Sequence, residues 1–351
     1  MKYDNKIYFN WRRLDGYPQP IKFALGPREP GKTTASWYGK VWTRFKKYHR
    51  PWIYFVRQAV EINEASIESI RGYIYKFDNS VPEFQYTKGT FKDGIVDIKI
   101  NGEIFFRIVS LNLPLRRIKL AVLQNLDGVI CDEYIIDPRS SEKYVPNEGF
   151  KIKEAYTTWR REANGVLYMY FSANPYSLYN PLFIELGVKT DELRKGEVWT
   201  NDLIAVEWVV LHPLLKEKLL KENPFYKFDE DYNNYALEGV AINDRNIKLG
   251  QLPQNFSLRF IFKSNNKYIG VFKRNEYQED GDKFFCKFIT DISKYRTIYC
   301  YDFAELVERC VVMSLDERMK LIKFKEAFRE RKVAFEDINC YYMTEEIYKN
   351  I

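Results

Sequence analysis

FALGPREPGKTTASWY, residues 23–38, is the stretch on which the fold turns. Gly26-Pro27-Arg28-Glu29-Pro30-Gly31-Lys32-Thr33 is a glycine, four residues, then Gly-Lys-Thr, with Thr34 following. Glycines let such a loop curl so that backbone N–H groups point at phosphate oxygens, and the positive end of the next helix adds to the attraction. Lys32 is then placed to reach the β- and γ-phosphates of a nucleotide, and the Thr33 hydroxyl to face Mg²⁺. The pattern carries that meaning only between a buried strand and a helix. Both flanks agree: PIKFALG is a buried strand ending at Gly26, and Ala35, Tyr38, Val41, Trp42 and Phe45 recur close to helical spacing.

The same alternation continues outward. PWIYFVRQ (51–58) reads as a short buried strand and EINEASIESIRGYIYKF (61–77) as an amphipathic helix. Two β-rich runs flank Asn101-Gly102, the dipeptide of a type I′ hairpin turn. LDGVICDEYI and GVLYMYFSANP are two further buried strands, each ending in polar residues. Strands alternating with helices, with one hairpin inserted, predict an α/β sheet with ligands at the strand C-terminal ends. After about residue 200 the pattern changes. Residues 209–239 look like a short helical connector, FSLRFIFKSNNKYIGVFKRNEYQEDGDKFFCKFITDI reads as strands, and 302–335 look helical.

Composition narrows the class. In 351 residues, 46% are hydrophobic and 17% aromatic, enough to bury a sizeable core. No apolar run approaches the ~20 residues of a membrane span, and MKYDNKIYFNWRR lacks the apolar centre of a signal peptide. The chain therefore reads as soluble and intracellular. Cys131, Cys286, Cys300, Cys310 and Cys340 form no CxxC pair, and His49 and His212 lie far from them, which argues against zinc. Net charge is +7, and Trp11 to Arg57 carries eleven Lys or Arg against two acids, a bias that suits an anionic partner.

VICDEY supplies the second element of chemistry. A strand ending in Asp132-Glu133 sets two carboxylates beside the phosphate loop, Asp132 for the magnesium shell and Glu133 as general base for an attacking water. The adjacent glutamate favours hydrolysis over binding alone. Ser172 and Asn174, at the end of LYMYFSAN, are candidate sensors of the γ-phosphate. Arg160 and Arg161 are candidates for charge stabilisation in trans, and Arg28 for a charge role within the loop.

With these pieces in place, the chain resembles the phi29-type DNA-packaging (encapsidation) ATPases, terminase-like P-loop motors. FNWRRLDGYPQPIKFALGPREPGKT, IYFVR, DGVICDEYI, the unusual YVPNE at Tyr144 to Glu148, and TTWRREANGVLYMYFSANPYSLYNPLF carry the likeness, which covers the first ~185 residues well. It implies an ASCE/RecA-like ATPase motor domain at 1–200, a helical linker at 201–235, and a smaller α+β domain at 236–351. The last would be a vestigial RNase H-like fold that docks or guides DNA without cutting it. It further implies ATP and Mg as cofactors, and a homo-oligomeric ring, a pentamer, acting in the host cytoplasm on the portal of a prohead and absent from the mature virion. A packaging RNA as a further partner is left open. On the family pattern Lys32 and Thr33 bind Mg-ATP, Asp132 holds magnesium, Glu133 is the catalytic glutamate, and Arg161, with Arg160 as alternative, is the trans-acting finger. Lys119, thirteen residues before Asp132, matches an interface lysine, and Phe9-Asn10 match residues that touch the adenine.

Double-stranded DNA is expected on the basic hairpin and its surroundings, through Lys88, Lys92, Lys99, Arg107, Arg116 and Arg117. A translocating motor must grip any sequence, so phosphate contacts suit it better than base readout. The rival readings are another P-loop nucleic-acid ATPase, of helicase or recombination type, and a regulatory module that binds nucleotide without turnover.

Overall fold

The computed structural model describes residues 3–137, 142–178, 180–228, 233, 236–239, 247–264, 267–276, 281–295, 297–300, 310–314, 319 and 321–350. Contacts divide the chain into two compact units, Met1–Asn243 and Asp244–Ile351.

The first unit is built on an eight-stranded sheet: β1 (Ile21–Leu25), β2 (Trp52–Val56), β3 (Ile95–Ile100), β4 (Glu103–Ser110), β5 (Leu126–Asp132), β6 (Ala163–Ala173), β7 (Val198–Thr200) and β8 (Ile204–Trp208). Their spatial order is β3-β4-β2-β5-β6-β1-β8-β7. The pairs from β4 through β2, β5, β6 and β1 to β8 are all parallel. Strands with helices on both faces must be apolar throughout, and every residue of β1 is buried. Even Lys22 is fully buried, its ammonium donating to the carbonyls of Leu14 and Tyr17.

β3 and β4 form the expected hairpin at one edge, with Asn101 (φ 50°) and Gly102 (φ 84°) both left-handed as a type I′ turn demands. At the other edge the expectation of a helical connector from residue 201 is corrected. IAVEW is β8, fully buried and parallel to β1, and its Glu207 is paired with Arg13. The helix begins at Pro213 and runs to Glu222, with His212 as its N-cap.

The second unit carries β9 (Phe256–Ser264), β10 (Lys267–Arg274), β11 (Phe284–Phe288), β12 (Ile298–Cys300), β13 (Cys310–Val312) and β14 (Val333–Phe335), in the order β13-β12-β9-β10-β11-β14. β9, β10 and β11 are antiparallel neighbours, while β12 runs parallel to both β9 and β13. Among the described residues, the helical reading of 302–335 holds at Met319 and over Ile322–Arg329. Cys310–Val312 and Val333–Phe335 are strands, because each short β-branched or aromatic run finds a parallel partner. Residues 302–309 lie outside the described residues. Among the described residues no helix is long and apolar enough to cross a membrane.

Candidate nucleotide site

β6 lies between the strand that feeds the phosphate loop, β1, and the strand that carries the carboxylates, β5. Its C-terminal residues therefore face both. The register pairs Leu25 with Ala173 and Asp132 with Ser172, so the ends of three strands meet at one place.

Within the loop, Gly31 sits at φ 87°, a conformation that strains any residue with a Cβ. A Cβ there would also stand 3.1 Å from the Tyr3 hydroxyl. Gly26 is required for a different reason: a Cβ would meet the Val209 side chain at 2.7 Å. The buried Lys32 ammonium donates to the carbonyls of Gly26 (2.9 Å) and Pro27 (2.5 Å) and to Asn174 Oδ1 (3.1 Å). Burial lowers its pKa to about 8, against the opposing pull of Asp132 and Glu133. Thr33 Oγ1 donates to Asp132 Oδ2 at 2.6 Å, and Ser172 Oγ donates to Asp132 Oδ1 at 2.5 Å. Asp132 is thus held from both sides, one partner from the phosphate loop and one from the sensor strand.

Glu133 follows at φ 55°, past the end of β5, where the chain turns out of the sheet. Its side chain reaches solvent, yet burial by its surroundings, and then Asp132, push its carboxyl upward from its ordinary value. Arg28 Nη2 donates to the Tyr176 hydroxyl at 2.6 Å, so it is anchored to the segment after the sensor strand. Its backbone N–H donates to Ala236, which lays residues 236–239 against the loop.

A cavity of about 600 Å³ contains this set, lined by Arg28 through Thr34 with Asp132, Glu133 and Asn174. Its size is within the range of small-molecule sites. The hydroxyl of Thr33 and the carboxylate of Asp132 converge in the way a magnesium shell needs, and these two residues fit that ion.

Phe9 and Asn10 are not in this cavity. Phe9 is buried with Trp11 (ring centroids 5.1 Å apart), its backbone N–H donating to Pro30, and Asn10 Nδ2 donates to the Asn5 carbonyl. The aromatic residues that line the cavity are Tyr3, Tyr8, Tyr73 and Phe77, which the sequence reading missed. The available signal was the tyrosine pair in KYDNKIYF, close upstream of the loop.

YVPNE acquires a structural meaning. Arg57, at the end of β2, makes a bidentate pair with Glu148 (2.9 and 3.0 Å), and its Nη2 also donates to the Tyr134 carbonyl at 3.0 Å. Its guanidinium lies over the Tyr144 ring, and Glu148 Oε2 accepts from the Val145 N–H. Burial opposes the charge on Arg57, but Glu148 outweighs it and holds the guanidinium pKa up. The segment after Glu133 is therefore fastened to β2 by a buried ion pair.

Arg160 and Arg161 are exposed, just past the helix Glu148–Trp159 and just before β6. That is the N-terminal end of the strands. Ala163 pairs with Leu126, six residues or ~20 Å of strand away from Asp132. Neither arginine can serve this chain's own cavity. Lys119 belongs to the same end: its carbonyl accepts from Trp159 Nε1, and its ammonium pairs with Glu154 at 2.5 Å.

Of the expected DNA contacts, Lys92, Lys99 and Arg116 are exposed and make no ion pair among the described residues. Lys88 is exposed but pairs with Glu64, and Arg117 donates to the Asp93 carbonyl. Arg107 is corrected. It is mostly buried in a bidentate pair with Asp97 and also donates to the carbonyls of Ala121 and Val122, so it braces the hairpin.

A phosphate loop after a parallel strand, a hydroxyl bonded to an aspartate two strands away, and a glutamate beside it meet at the C-terminal edge of a parallel α/β sheet, the arrangement of a P-loop fold. Two solved structures share that fold along the whole chain. They are the viral genome packaging motor assembly of bacteriophage Phi-29 and the Phi-28 gp11 DNA packaging motor. The first is 17% identical over 98% of this chain and 99% of that one, with a TM-score of 0.68. The second is 18% identical over 98% of each, with a TM-score of 0.61. The resemblance read from the first ~185 residues is therefore matched by the fold of both units. No family model and no curated protein matches the chain.

Proposed function

We propose that this chain is a packaging motor ATPase that hydrolyses ATP to ADP and phosphate and uses the energy to drive double-stranded DNA into a viral prohead. The observation that carries this reading is the cluster of Thr33 on Asp132 with Glu133 beside it, within a chain that shares the fold of a packaging motor over 98% of its length. Lys32 would leave the carbonyls of Gly26 and Pro27 for the triphosphate, and Asn174, its third partner, would register that move. Thr33 and Asp132 would hold Mg²⁺, which would supply positive charge to offset the negative charge of the phosphates. Glu133 would accept the proton of the attacking water. The upward shift of its pKa strengthens it as a base.

Arg161 or Arg160, together with Lys119, would complete the site of a neighbouring copy, which makes a ring, a pentamer on the family pattern, the working form. The motor would act in the host cytoplasm on the portal vertex, with a packaging RNA as a possible further partner. The second unit would be an RNase H-like docking or guiding domain. Its first five strands are ordered 3-2-1-4-5 with the first three antiparallel, which supports that reading. Its first strand, FSLRFIFKS, carries no carboxylate with which to start a two-metal site.

Lys32 makes the site pH-dependent. A triphosphate beside the ammonium raises a pKa that stands near 8 in the free protein, so the protonated form binds better. Affinity for ATP should hold below pH 8 and fall above it, on the order of tenfold between pH 7 and pH 9. Calorimetric titration at the two pH values checks this, and equal affinities would contradict it.

DNA contact through Lys92, Lys99 and Arg116 predicts a binding constant whose logarithm falls with the logarithm of salt. Replacing all three by glutamine should flatten that slope by about two to three units. An unchanged slope would remove these residues from the DNA path. Metal-dependent nicking of plasmid DNA by the purified protein would overturn the non-cutting reading of the second unit.

A further inference from the structure

The same cavity has an aromatic wall that no part of the phosphate-loop chemistry uses. Tyr3 and Tyr8 stack at 5.7 Å with their planes 30° apart, and Phe77 meets the Tyr3 ring edge-on at 5.3 Å. All three rings line the cavity. The segment that carries the two tyrosines is fastened to the phosphate loop. Tyr3 Oη donates to the Phe9 carbonyl at 2.5 Å and lies 3.4 Å from the Gly31 carbonyl, and the Phe9 N–H donates to Pro30 at 2.8 Å. Leu215 and Leu219, one turn apart on the helix Pro213–Glu222, contribute apolar surface to the same cavity.

We infer that this is the nucleobase subsite: the Tyr3–Tyr8–Phe77 wall takes the flat face of a purine, with Leu215 and Leu219 as apolar cover. The inference rests on the reading of the phosphate loop as a nucleotide site and adds how that site treats the base. Aromatic rings recognise the π-face that every base has, and the larger purine gains more contact than a pyrimidine. Reading a base edge requires fixed donors and acceptors. Outside the phosphate loop and its carboxylates, the charged side chains that line the cavity are Lys76, Lys218 and Glu222. Lys76 is exposed with its ammonium over the Phe77 ring, and Lys218 and Glu222 are more than half exposed and 3.7 Å from each other on one helix face, so none is a fixed donor or acceptor. The subsite therefore separates purine from pyrimidine and barely separates adenine from guanine.

The test is a calorimetric titration of the full chain with the magnesium complexes of ATP, GTP, UTP and inorganic tripolyphosphate. ATP and GTP should bind within about threefold of each other, and UTP and tripolyphosphate on the order of tenfold more weakly than ATP. Tyr8→Ala should weaken ATP on the order of tenfold and leave tripolyphosphate where it was. Tyr8→Phe, which keeps the ring, should bind ATP as the natural chain does. UTP as tight as ATP, or Tyr8→Ala weakening ATP and tripolyphosphate equally, would overturn the base subsite while the phosphate site stands. Lys32→Ala separates the two levels. If it weakens neither ligand, the phosphate-loop reading itself fails, and the base subsite with it.

Discussion

Replacing Glu133 with glutamine is expected to lower ATP turnover by about two to four orders of magnitude while nucleotide affinity stays within about threefold. Glutamine keeps the shape and the backbone turn at φ 55° but has no basic oxygen to take a proton from water. On the proposed reading the phosphate contacts would stay with Lys32 and the loop, and the magnesium contacts with Thr33 and Asp132, none of which the substitution touches. The expected signature is kcat lost with binding kept, the pattern of an interaction made only in the transition state. Parallel loss of binding and turnover would instead place Glu133 among the nucleotide ligands.

The second large effect concerns stability. Arg57→Ala leaves the Glu148 carboxylate buried, since that side chain is 4% exposed, with only the Val145 N–H among its described partners. Breaking one half of a buried pair in this way costs about 3–5 kcal/mol. For a unit of this size that is a fall of roughly 10 °C in its melting temperature. Removing both partners as Arg57→Met with Glu148→Leu should recover most of the loss, because no charge is then stranded. Thermal melts of the single and double variants check this. A single variant that melts with the natural chain would show that the pair contributes nothing.

How far the residues announced this structure depends on how local each signal is. The phosphate loop, β1, β5 and the Asn101-Gly102 hairpin were legible because each rests on a few adjacent residues: glycines that permit one backbone shape, and apolar runs bounded by polar ends. Asp132 and Glu133 were legible for the same reason. β8 was not, since IAVEW becomes a strand by lying beside β1, a partner about 180 residues earlier in the chain. Arg107 looked like a surface cation until the hairpin register set Asp97 opposite it. Phe9 looked like a base contact because its distance from the loop is right, but the backbone bond to Pro30 turns its ring toward Trp11 and leaves the cavity to Tyr3 and Tyr8. YVPNE was recognisable as a pattern and opaque as physics, because its partner Arg57 lies 91 residues before Glu148.

The position of Arg160 and Arg161, at the strand ends opposite the cavity, gives the motor reading its sharpest consequence: a lone chain lacks part of its own catalytic apparatus. Turnover per chain should therefore depend on how many chains are present. The decisive measurement is ATP hydrolysis by the purified protein across a wide concentration range, with and without double-stranded DNA, beside Glu133→Gln. The account predicts turnover per chain that rises with concentration, rises again with DNA, and vanishes in the variant. Tight ATP binding with no turnover at any concentration, even with DNA and proheads present, would contradict it and leave a nucleotide-binding module in its place.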